Sequence, residues 1–371
     1  MRTGVASLPL HYGRAPRWLF ERMVRLARGI SQAVASEYGP EEMLYRLSDP
    51  FWFQALGCIL GFDWHSSGVT TTVCGALKEA LKDSQKEVGL FVAGGKGRAS
   101  RRTPTEIRAV ASSLISIEGE DLVYASRMAA KVDSVALQDG YQIYHHTFFF
   151  TAQGQWTVVQ QGMNEGARYA RRYHWLGEGV ADFVCEPHAA ICAEATSPVL
   201  NLVAQESADS RLAVAQLSQE KPSLLLGELA RLKTLELPPR HYLALEDIDP
   251  RRLERILLLT YEERPPDFEA LIGLQGVGPK TVRALTLLSE LMYGAAPSFR
   301  DPARYSFAHG GKDGHPYPVD RKTYDETIQF LERALRRIPW EGNEASQALK
   351  RLHRMVDTEH DPTSTTLFDM E

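Results

Sequence analysis

The sequence has few cysteines, and none is spaced for a metal cluster. Four occur among 371 residues, and no two stand in a Cys-x-x-Cys arrangement. Zinc ribbons and iron–sulfur clusters need closely spaced thiolates, so we expect no iron–sulfur cluster. The chain also has no run of about 18 apolar residues, which a membrane helix requires, and no apolar leader follows Met1. These absences predict a cytoplasmic protein with reduced thiols and no membrane contact.

An excess of positive charge is also missing. The chain has 42 Lys and Arg residues against 47 Asp and Glu residues, a formal net charge of −5. Proteins that attract polyanions over their whole surface are usually basic, so any contact with nucleic acid must come from local patches. The length exceeds what one hydrophobic core usually supports, which predicts two domains.

A domain of α+β class is predicted for residues 1–200. Its clearest β signal lies at 141–160, where two β-branched and aromatic segments flank a short glycine-containing turn and predict a hairpin. Helical periodicity, with apolar residues recurring on one face, marks its other elements. The predicted helices of this domain lie at residues 17–36, 72–82 and 164–175.

An all-helical domain is predicted for residues 221–356. Ala, Gln and Ser dominate residues 197–222, and prolines stand near both ends of this segment, so the domain junction is expected there. Beyond the junction the strand signals stop, and the polar tail at 357–371 is predicted to be mobile. The whole chain is therefore predicted as an α+β fold followed by helices. The helical segments of the second domain are 224–237, 251–259, 268–291 and 324–337.

A glycine-rich turn joins two predicted amphipathic helices within residues 268–285. Its two glycines are free to take positive φ, and Pro279 suits the first position of the second helix because its missing N–H costs nothing there. Amides of such a turn face outward beside a helix N-terminus, which favours a phosphate oxygen. We therefore predict a grip on the DNA backbone, independent of base sequence. A plain turn between two core helices is the alternative. The predicted DNA contacts are Gly276, Gly278, Lys280, Thr281 and Arg283.

The same turn resembles a known motif. Residues 274–280 are similar to the Leu-Pro-Gly-Val-Gly-x-Lys turn of the helix-hairpin-helix DNA glycosylases. In bifunctional members the lysine is a Schiff-base nucleophile, and a catalytic aspartate follows in Val-Asp-Thr-His. Here Asp320 lies in Pro-Val-Asp-Arg-Lys, after a longer spacer and without the Thr-His pair. The resemblance implies an alternative, abasic-site lyase site made of Lys280 and Asp320.

Asp63 and His65 are the strongest candidates for a metal site. They stand two residues apart and share one face of an extended segment, where a carboxylate and an imidazole can bind Mg²⁺ or Mn²⁺ or act as a general-base pair. His145 is the predicted third catalytic residue, because His146 shares its strand face with Phe148 and is expected in the core. A turn cap at Asp63 and structural roles for the histidines are the alternative.

Two groups of basic residues are candidate contacts for unpaired DNA. The first lies in a glycine-rich segment predicted as a mobile loop and comprises Lys96, Arg98 and Arg101. The second lies with aromatic residues on the predicted helix 164–175 and comprises Arg168, Arg171 and Arg172. Unpaired bases stack on aromatic rings while cations hold the phosphates, which suits this composition. A solvated arginine face is the alternative.

The chain as a whole resembles the domain-of-unknown-function 763 family. The resemblance rests on residues 2–13, 61–68 and 161–175, and it implies an association with DNA processing, chiefly through the glycine-rich turn. Near the C-terminus, Leu367 and Phe368 lie in Thr-Thr-Leu-Phe-Asp, which resembles the peptides that dock on sliding clamps, with a serine in place of the usual glutamine. A sliding clamp is therefore a candidate partner.

Three functions account for these features. The first is a metal-dependent, structure-selective DNA endonuclease of repair or recombination, in which the N-terminal domain cuts and the helical domain holds duplex next to unpaired or branched DNA. The second is the glycosylase or abasic-site lyase, and the third is a non-catalytic DNA-binding adaptor. Cleavage abolished by EDTA favours the first, whereas a borohydride-trapped adduct favours the second. We predict the nuclease and leave a homodimer open.

Overall fold

A computed structural model describes residues 15–62, 67–114, 119–193, 196–232 and 250–303, together with 326, 329–331, 333–336 and 347–352. The fold is α+β, and it begins with a layer of helices. The first of them covers the predicted helix at 17–36, which is thereby confirmed, and Asp49 caps the third by accepting a hydrogen bond from the Phe51 amide at 2.8 Å. The helices are α1 (Arg17–Tyr38), α2 (Pro40–Ser48), α3 (Pro50–Leu60), α4 (Gly68–Leu81) and α5 (Gln85–Val88).

A five-stranded antiparallel sheet follows, in the order β1-β3-β4-β5-β6. The hairpin predicted at 141–160 is confirmed, since its two strands pair from Gln142 opposite Met163 to Phe150 opposite Trp156. The strands are β1 (Leu90–Lys96), β3 (Gln142–Thr151), β4 (Trp156–Asn164), β5 (Tyr169–Leu176) and β6 (Ala190–Cys192), while β2 (Leu137–Gln138) and β7 (Leu200–Asn201) pair separately.

Both faces of the sheet are covered. Successive side chains of a strand point to opposite faces, so Phe148 and Phe150 enter one hydrophobic cluster and Phe149 enters the other. Helix α7 (Gly119–Lys131) covers the first face, and α1 to α4 cover the second. A short π-helix (Val132–Ala136) continues α7 and leads into β2.

The C-terminal helices complete the first cluster. Leu225, Leu257 and Leu285 belong to the same buried cluster as Phe148 of the sheet. Phe330, in the helical residues 329–331, belongs instead to the second cluster. Residues from both predicted domains therefore share both cores, and the division near residue 200 stays a prediction. These helices are α8 (Ala208–Leu217), α9 (Pro222–Leu232), α10 (Pro250–Glu263), α11 (Phe268–Gly273) and α12 (Pro279–Tyr293).

The helix predicted at 164–175 is wrong, because most of this segment is strand β5. Arg172 pairs with Gln161 of β4 and with Cys192 of β6, so the strand lies inside the sheet. In a strand covered on both faces, large side chains occur at successive positions and do not alternate with small polar ones. Arginines and aromatic residues then recur at spacings that also fit a helix, which explains the wrong prediction.

Two segments predicted as linker and loop are ordered. Residues 197–222 contain β7 and α8, and Val214 and Leu217 are buried in the first cluster. In the glycine-rich segment, Gly94 and Lys96 belong to β1, and a 3-10 helix (Gly97–Arg102) follows before α6 (Thr103–Ala111). A Cβ on Gly94 would lie 2.3 Å from the carbonyl oxygen of His146, so this glycine permits close strand packing rather than mobility.

The four cysteines are free, and two of them, Cys74 and Cys192, are buried. In the part of the chain that the structure describes, no helix is both long and apolar enough to cross a membrane.

Candidate nucleic-acid interface

The glycine-rich turn, residues 274–278, is a tight connection between α11 and α12, and we call it the hairpin. Gly276 has a φ of +97°, whereas Gly278 is extended at −134°, so only the first glycine uses the left-handed region. Pro279 stands at the start of α12, as predicted. Val277 is 2% exposed and anchors the turn in the core.

The backbone amides of the hairpin are available as hydrogen-bond donors. Within the described residues, no group accepts a hydrogen bond from the amides of Gly276, Val277 or Gly278. Gly276 and Lys280 are exposed. Thr281 is buried with 5% exposure, so its predicted contact with DNA is corrected. Amide groups without acceptors beside a helix N-terminus favour an anion.

The inner side of the hairpin is fixed to the π-helix region. The Lys131 Nζ atom donates to the carbonyl oxygens of Leu274, at 3.2 Å, and Val277, at 2.7 Å. Gln138 Nε2 donates to the Pro279 carbonyl at 2.9 Å, and the Gln138 side-chain oxygen accepts from Arg283 Nε at 2.7 Å. The predicted contact Arg283 therefore also holds α12 in place.

One end of the sheet brings several predicted DNA contacts together. Lys96 ends β1 opposite His145 of β3, and the β4–β5 turn carries Arg168 at the same end, because neighbouring strands are antiparallel. Arg98 and Arg101 follow Lys96 on the 3-10 helix, and all four basic side chains are exposed. We call these four residues the basic end of the sheet. From β1 to β5 it spans about 14 Å, three interstrand spacings of about 4.8 Å.

Arg171, a predicted DNA contact, is instead a buried ion-pair residue with 0% exposure. Its Nη1 atom donates to Asp139 at 3.0 Å, and its Nη1 and Nη2 atoms donate to the two carboxylate oxygens of Asp301 at 3.1 and 2.8 Å. Burial opposes the guanidinium charge, but Asp139, Tyr173 and Asp301 hold the pKa of Arg171 above its ordinary value. A phosphate cannot reach this side chain from the surface, so the predicted contact is corrected.

Arg172 is equally buried, on the opposite face of the sheet. Its guanidinium donates to His174 Nε2 at 2.9 Å, to Gln54 Oε1 at 3.1 Å and to Thr70 Oγ1 at 3.3 Å. Burial lowers the pKa of Arg172 to about 10, which leaves it charged at neutral pH. This predicted DNA contact is corrected for the same reason as Arg171.

His145, a predicted catalytic residue, is 1% exposed. Its Nε2 atom is hydrogen-bonded to the Thr147 hydroxyl at 2.9 Å, and its Nδ1 atom has no partner among the described residues. Burial, with the nearby charges of His146 and Lys96, lowers the pKa of His145 to about 3. The ring is therefore neutral and enclosed, a placement that does not suit a general base or a metal ligand open to substrate.

The expected alternation around His145 is broken by an irregularity. The β3–β4 register shifts between Ile143 and His145. The Tyr144 hydroxyl accepts a hydrogen bond from Gln161, which lies opposite His145. Strict alternation along β3 would instead place Tyr144 on the face of His146. A bulge adds one residue to a strand and so changes which face the residues before it occupy.

Several predicted site residues lie outside the described residues: Asp63, His65, Asp320, Leu367 and Phe368. The neighbours of the first two are placed: Phe62 packs on the second cluster, and the Ser67 carbonyl accepts from Gln161 Nε2 at 2.9 Å. In the described ranges no group of three His, Cys, Asp or Glu residues could hold a metal. These ranges by themselves therefore do not fit the predicted Mg²⁺ or Mn²⁺ site.

A buried polar network on the first face was missed from the sequence. Gln160 and Trp175 donate to the carboxylate of Asp133, which also binds His188. His146 Nδ1 donates to the Gln160 side-chain oxygen at 2.8 Å. Asp133 and its partners are distant in sequence, so no motif links them. Lys131, the residue beneath the hairpin, was missed for the same reason.

Comparison with known proteins identifies a family and nothing more specific. No curated protein and no solved structure matches the chain. A family described as protein of unknown function, DUF763, matches residues 4–319, which includes the sheet, the hairpin and the basic end of the sheet. This chain belongs to the DUF763 family.

Proposed function

We propose that this protein binds DNA through the phosphate backbone, with the hairpin as the grip. The observation that carries the proposal is the set of amides at Gly276, Val277 and Gly278, which lack acceptors among the described residues and lie at the start of α12. Lys280 adds an exposed charge. Backbone amides contact phosphate oxygens and not base edges, so the binding is independent of sequence.

The basic end of the sheet extends the proposed surface toward unpaired DNA. Gln138, which holds the start of α12, lies in β2 just before β3, and β3 begins at the basic end. Duplex on the hairpin and an adjoining single strand on the basic end form the arrangement that we propose.

The proposed reaction is metal-dependent cleavage of DNA at such a junction. It rests on Asp63 and His65 as ligands for Mg²⁺ or Mn²⁺, as predicted from the sequence. Support comes from the neighbouring Ser67, whose carbonyl is held by Gln161 of β4. Gln161 pairs with His145, which pairs with Lys96 of the basic end. Ser67 therefore lies against the sheet, near the proposed DNA surface.

The binding proposal is tested with duplexes of unrelated sequence and equal length. We expect similar dissociation constants for all of them, and a steep fall in affinity with salt, because each neutralised phosphate contributes a slope of about −0.9 to the logarithmic plot. Tighter binding to duplexes that carry a single-stranded arm is expected from the basic end. If the protein does not bind duplex DNA at low salt, the whole proposal is wrong.

The cleavage proposal is tested with labelled duplex, bubble, flap and abasic substrates, with Mg²⁺, Mn²⁺ or EDTA. We expect metal-dependent cuts near the junction, lost in Asp63→Asn without a change in DNA affinity or melting temperature. A purely structural Asp63 would instead destabilise the mutant by about 1–2 kcal/mol, the loss of a helix cap. A borohydride-trapped adduct that disappears in Lys280→Gln would favour the lyase, and binding without any reaction would leave an adaptor.

A further inference from the structure

Lys131 supports the hairpin from beneath. It lies in the last turn of α7, and its ammonium group donates to the carbonyls of Leu274 and Val277, at opposite sides of the turn. In a planar trans peptide, the carbonyl of one residue and the amide of the next point in opposite directions. The contact therefore directs the amides of Gln275 and Gly278 away from Lys131.

In the described structure, only the dipoles of backbone carbonyls compensate the positive charge of Lys131. Its hydrogen-bond partners are backbone carbonyls, and no carboxylate in the described ranges forms an ion pair with it. The side chain is partly buried, and burial lowers its pKa, as expected for an ammonium group without a nearby anion. An anion on the outer side of the hairpin would restore the missing negative charge.

We infer that Lys131 is the positioning residue of the hairpin, which directs two of its amides outward and supplies a fixed positive charge beneath a bound DNA phosphate. The inference rests on the proposed DNA binding. It adds a residue from α7 to a grip otherwise made of α11, α12 and the turn between them. A charge already held in place loses little conformational entropy when the phosphate binds, unlike that of an exposed lysine.

Variants of Lys131 can distinguish a residue that only supports the hairpin from one whose charge also contributes to DNA binding. Lys131→Gln keeps a side-chain donor for the carbonyls but removes the charge, and Lys131→Arg keeps the charge. Lys131→Met removes both and provides a second neutral variant. Lys86→Gln is the matched control, since Lys86 is exposed on α5, before the opposite end of β1.

The experiment measures duplex affinity by fluorescence anisotropy across a series of salt concentrations. For Lys131→Gln we expect several-fold weaker binding and a salt slope reduced by about one charge, with both nearly restored in Lys131→Arg. Lys131→Met should show the same reduced slope with a larger loss of affinity. Lys86→Gln should match the wild type.

The outcomes separate this inference from the proposed function. If the wild-type protein binds no duplex, both the proposed function and the inference are wrong. Wild-type binding that is lost in Gly276→Val but keeps its full affinity and slope in both neutral Lys131 variants overturns the inference alone. A weaker affinity with an unchanged slope also overturns it, because the residue would then act only as a support.

Discussion

The sheet and the hairpin both hold positive charge away from bulk water, but they do so differently. In the sheet, Arg171 has three hydrogen bonds to two carboxylates, and Arg172 has neutral side-chain acceptors on three sides. At the hairpin, Lys131 faces only backbone carbonyls, and the amides beyond it have no acceptor among the described residues. The sheet satisfies its charges internally, whereas the hairpin leaves donors for a ligand.

This difference separates the buried arginines of the sheet from the exposed arginines of the proposed DNA surface. A buried ion pair that loses one partner leaves an uncompensated charge and strongly destabilises the fold. An exposed basic side chain changes folding little but affects a polyanionic ligand through its charge. Mutations in the two regions should therefore affect different measurements, and the following predictions test that separation.

The largest effect is expected from Arg171→Met. The substitution leaves the carboxylates of Asp139 and Asp301 buried without their cation, and we expect the free energy of unfolding to fall by about 3–5 kcal/mol in urea titrations. The matched control is Arg168→Met, three residues earlier and exposed, which should stay within about 0.5 kcal/mol of the wild type. Equal stability of the two variants would show that the Arg171 ion pairs contribute little.

The hairpin should show the reverse behaviour. Gly276→Val adds a side chain at positive φ on the proposed phosphate site, and we expect at least about a tenfold loss of duplex affinity, or 1.4 kcal/mol. Gly294→Val is the control, because Gly294 also has positive φ and open space but lies at the far end of α12. Both variants should lose about 1–2 kcal/mol of folding stability from backbone strain. Only Gly276→Val should lose affinity for duplex DNA. A comparable loss of duplex affinity in both variants would show that the hairpin is not the binding site.

The neutral His145 should make folding sensitive to acid. Its folded pKa of about 3 lies below the ordinary 6.5, so unfolding takes up a proton between these values. The stability contributed by the neutral ring is therefore full above pH 6.5 and is lost as the pH falls toward 3, at about 1.4 kcal/mol per pH unit. Urea titrations from pH 7 to pH 5 should give a shallower decline for His145→Asn. Parallel curves would mean that His145 is not held neutral by the fold.

The smallest effect is expected from the basic end of the sheet. Arg98→Gln with Arg101→Gln should weaken binding to a single-stranded arm by about threefold, since an exposed ion pair is worth under about 1 kcal/mol. The salt slope should fall, while folding stability stays unchanged. The control is Lys82→Gln with Lys86→Gln, which removes the same charge near the start of β1. An equal fall in both double variants would indicate general electrostatic attraction and no specific surface.

Much of the local structure was readable because local patterns are strong there. Helix α1 has one apolar face, and the β3–β4 hairpin has two β-branched and aromatic segments around Gly154, which takes positive φ in the turn. The glycine-rich turn between α11 and α12 was predicted with Pro279 at the start of the second helix, although only Gly276 of its two glycines takes positive φ. In each case neighbouring residues alone determine the conformation.

Strand β5 and the junction segment could not be read in this way. In β5, Arg171 and Arg172 look like a basic surface until their partners are known, and Asp301 comes from a segment 130 residues later. Helix α8 has no single apolar face in sequence, because it packs against other helices on several sides. The local sequence pattern was misleading for both β5 and α8, because distant parts of the chain bury their side chains.

The sequence by itself determined the positions of α1, the β-hairpin and the glycine-rich turn, since φ preferences and side-chain periodicity act over a few residues. Only the tertiary structure decided which charges are available to a ligand. It buried Arg171 and Arg172, exposed Arg98 and Arg168, and placed Lys131 beneath a turn far away in sequence. The physical reason is that the free energy of a charge depends on the dielectric environment and the partners around it, and the fold brings these together from segments that carry no local sign of one another.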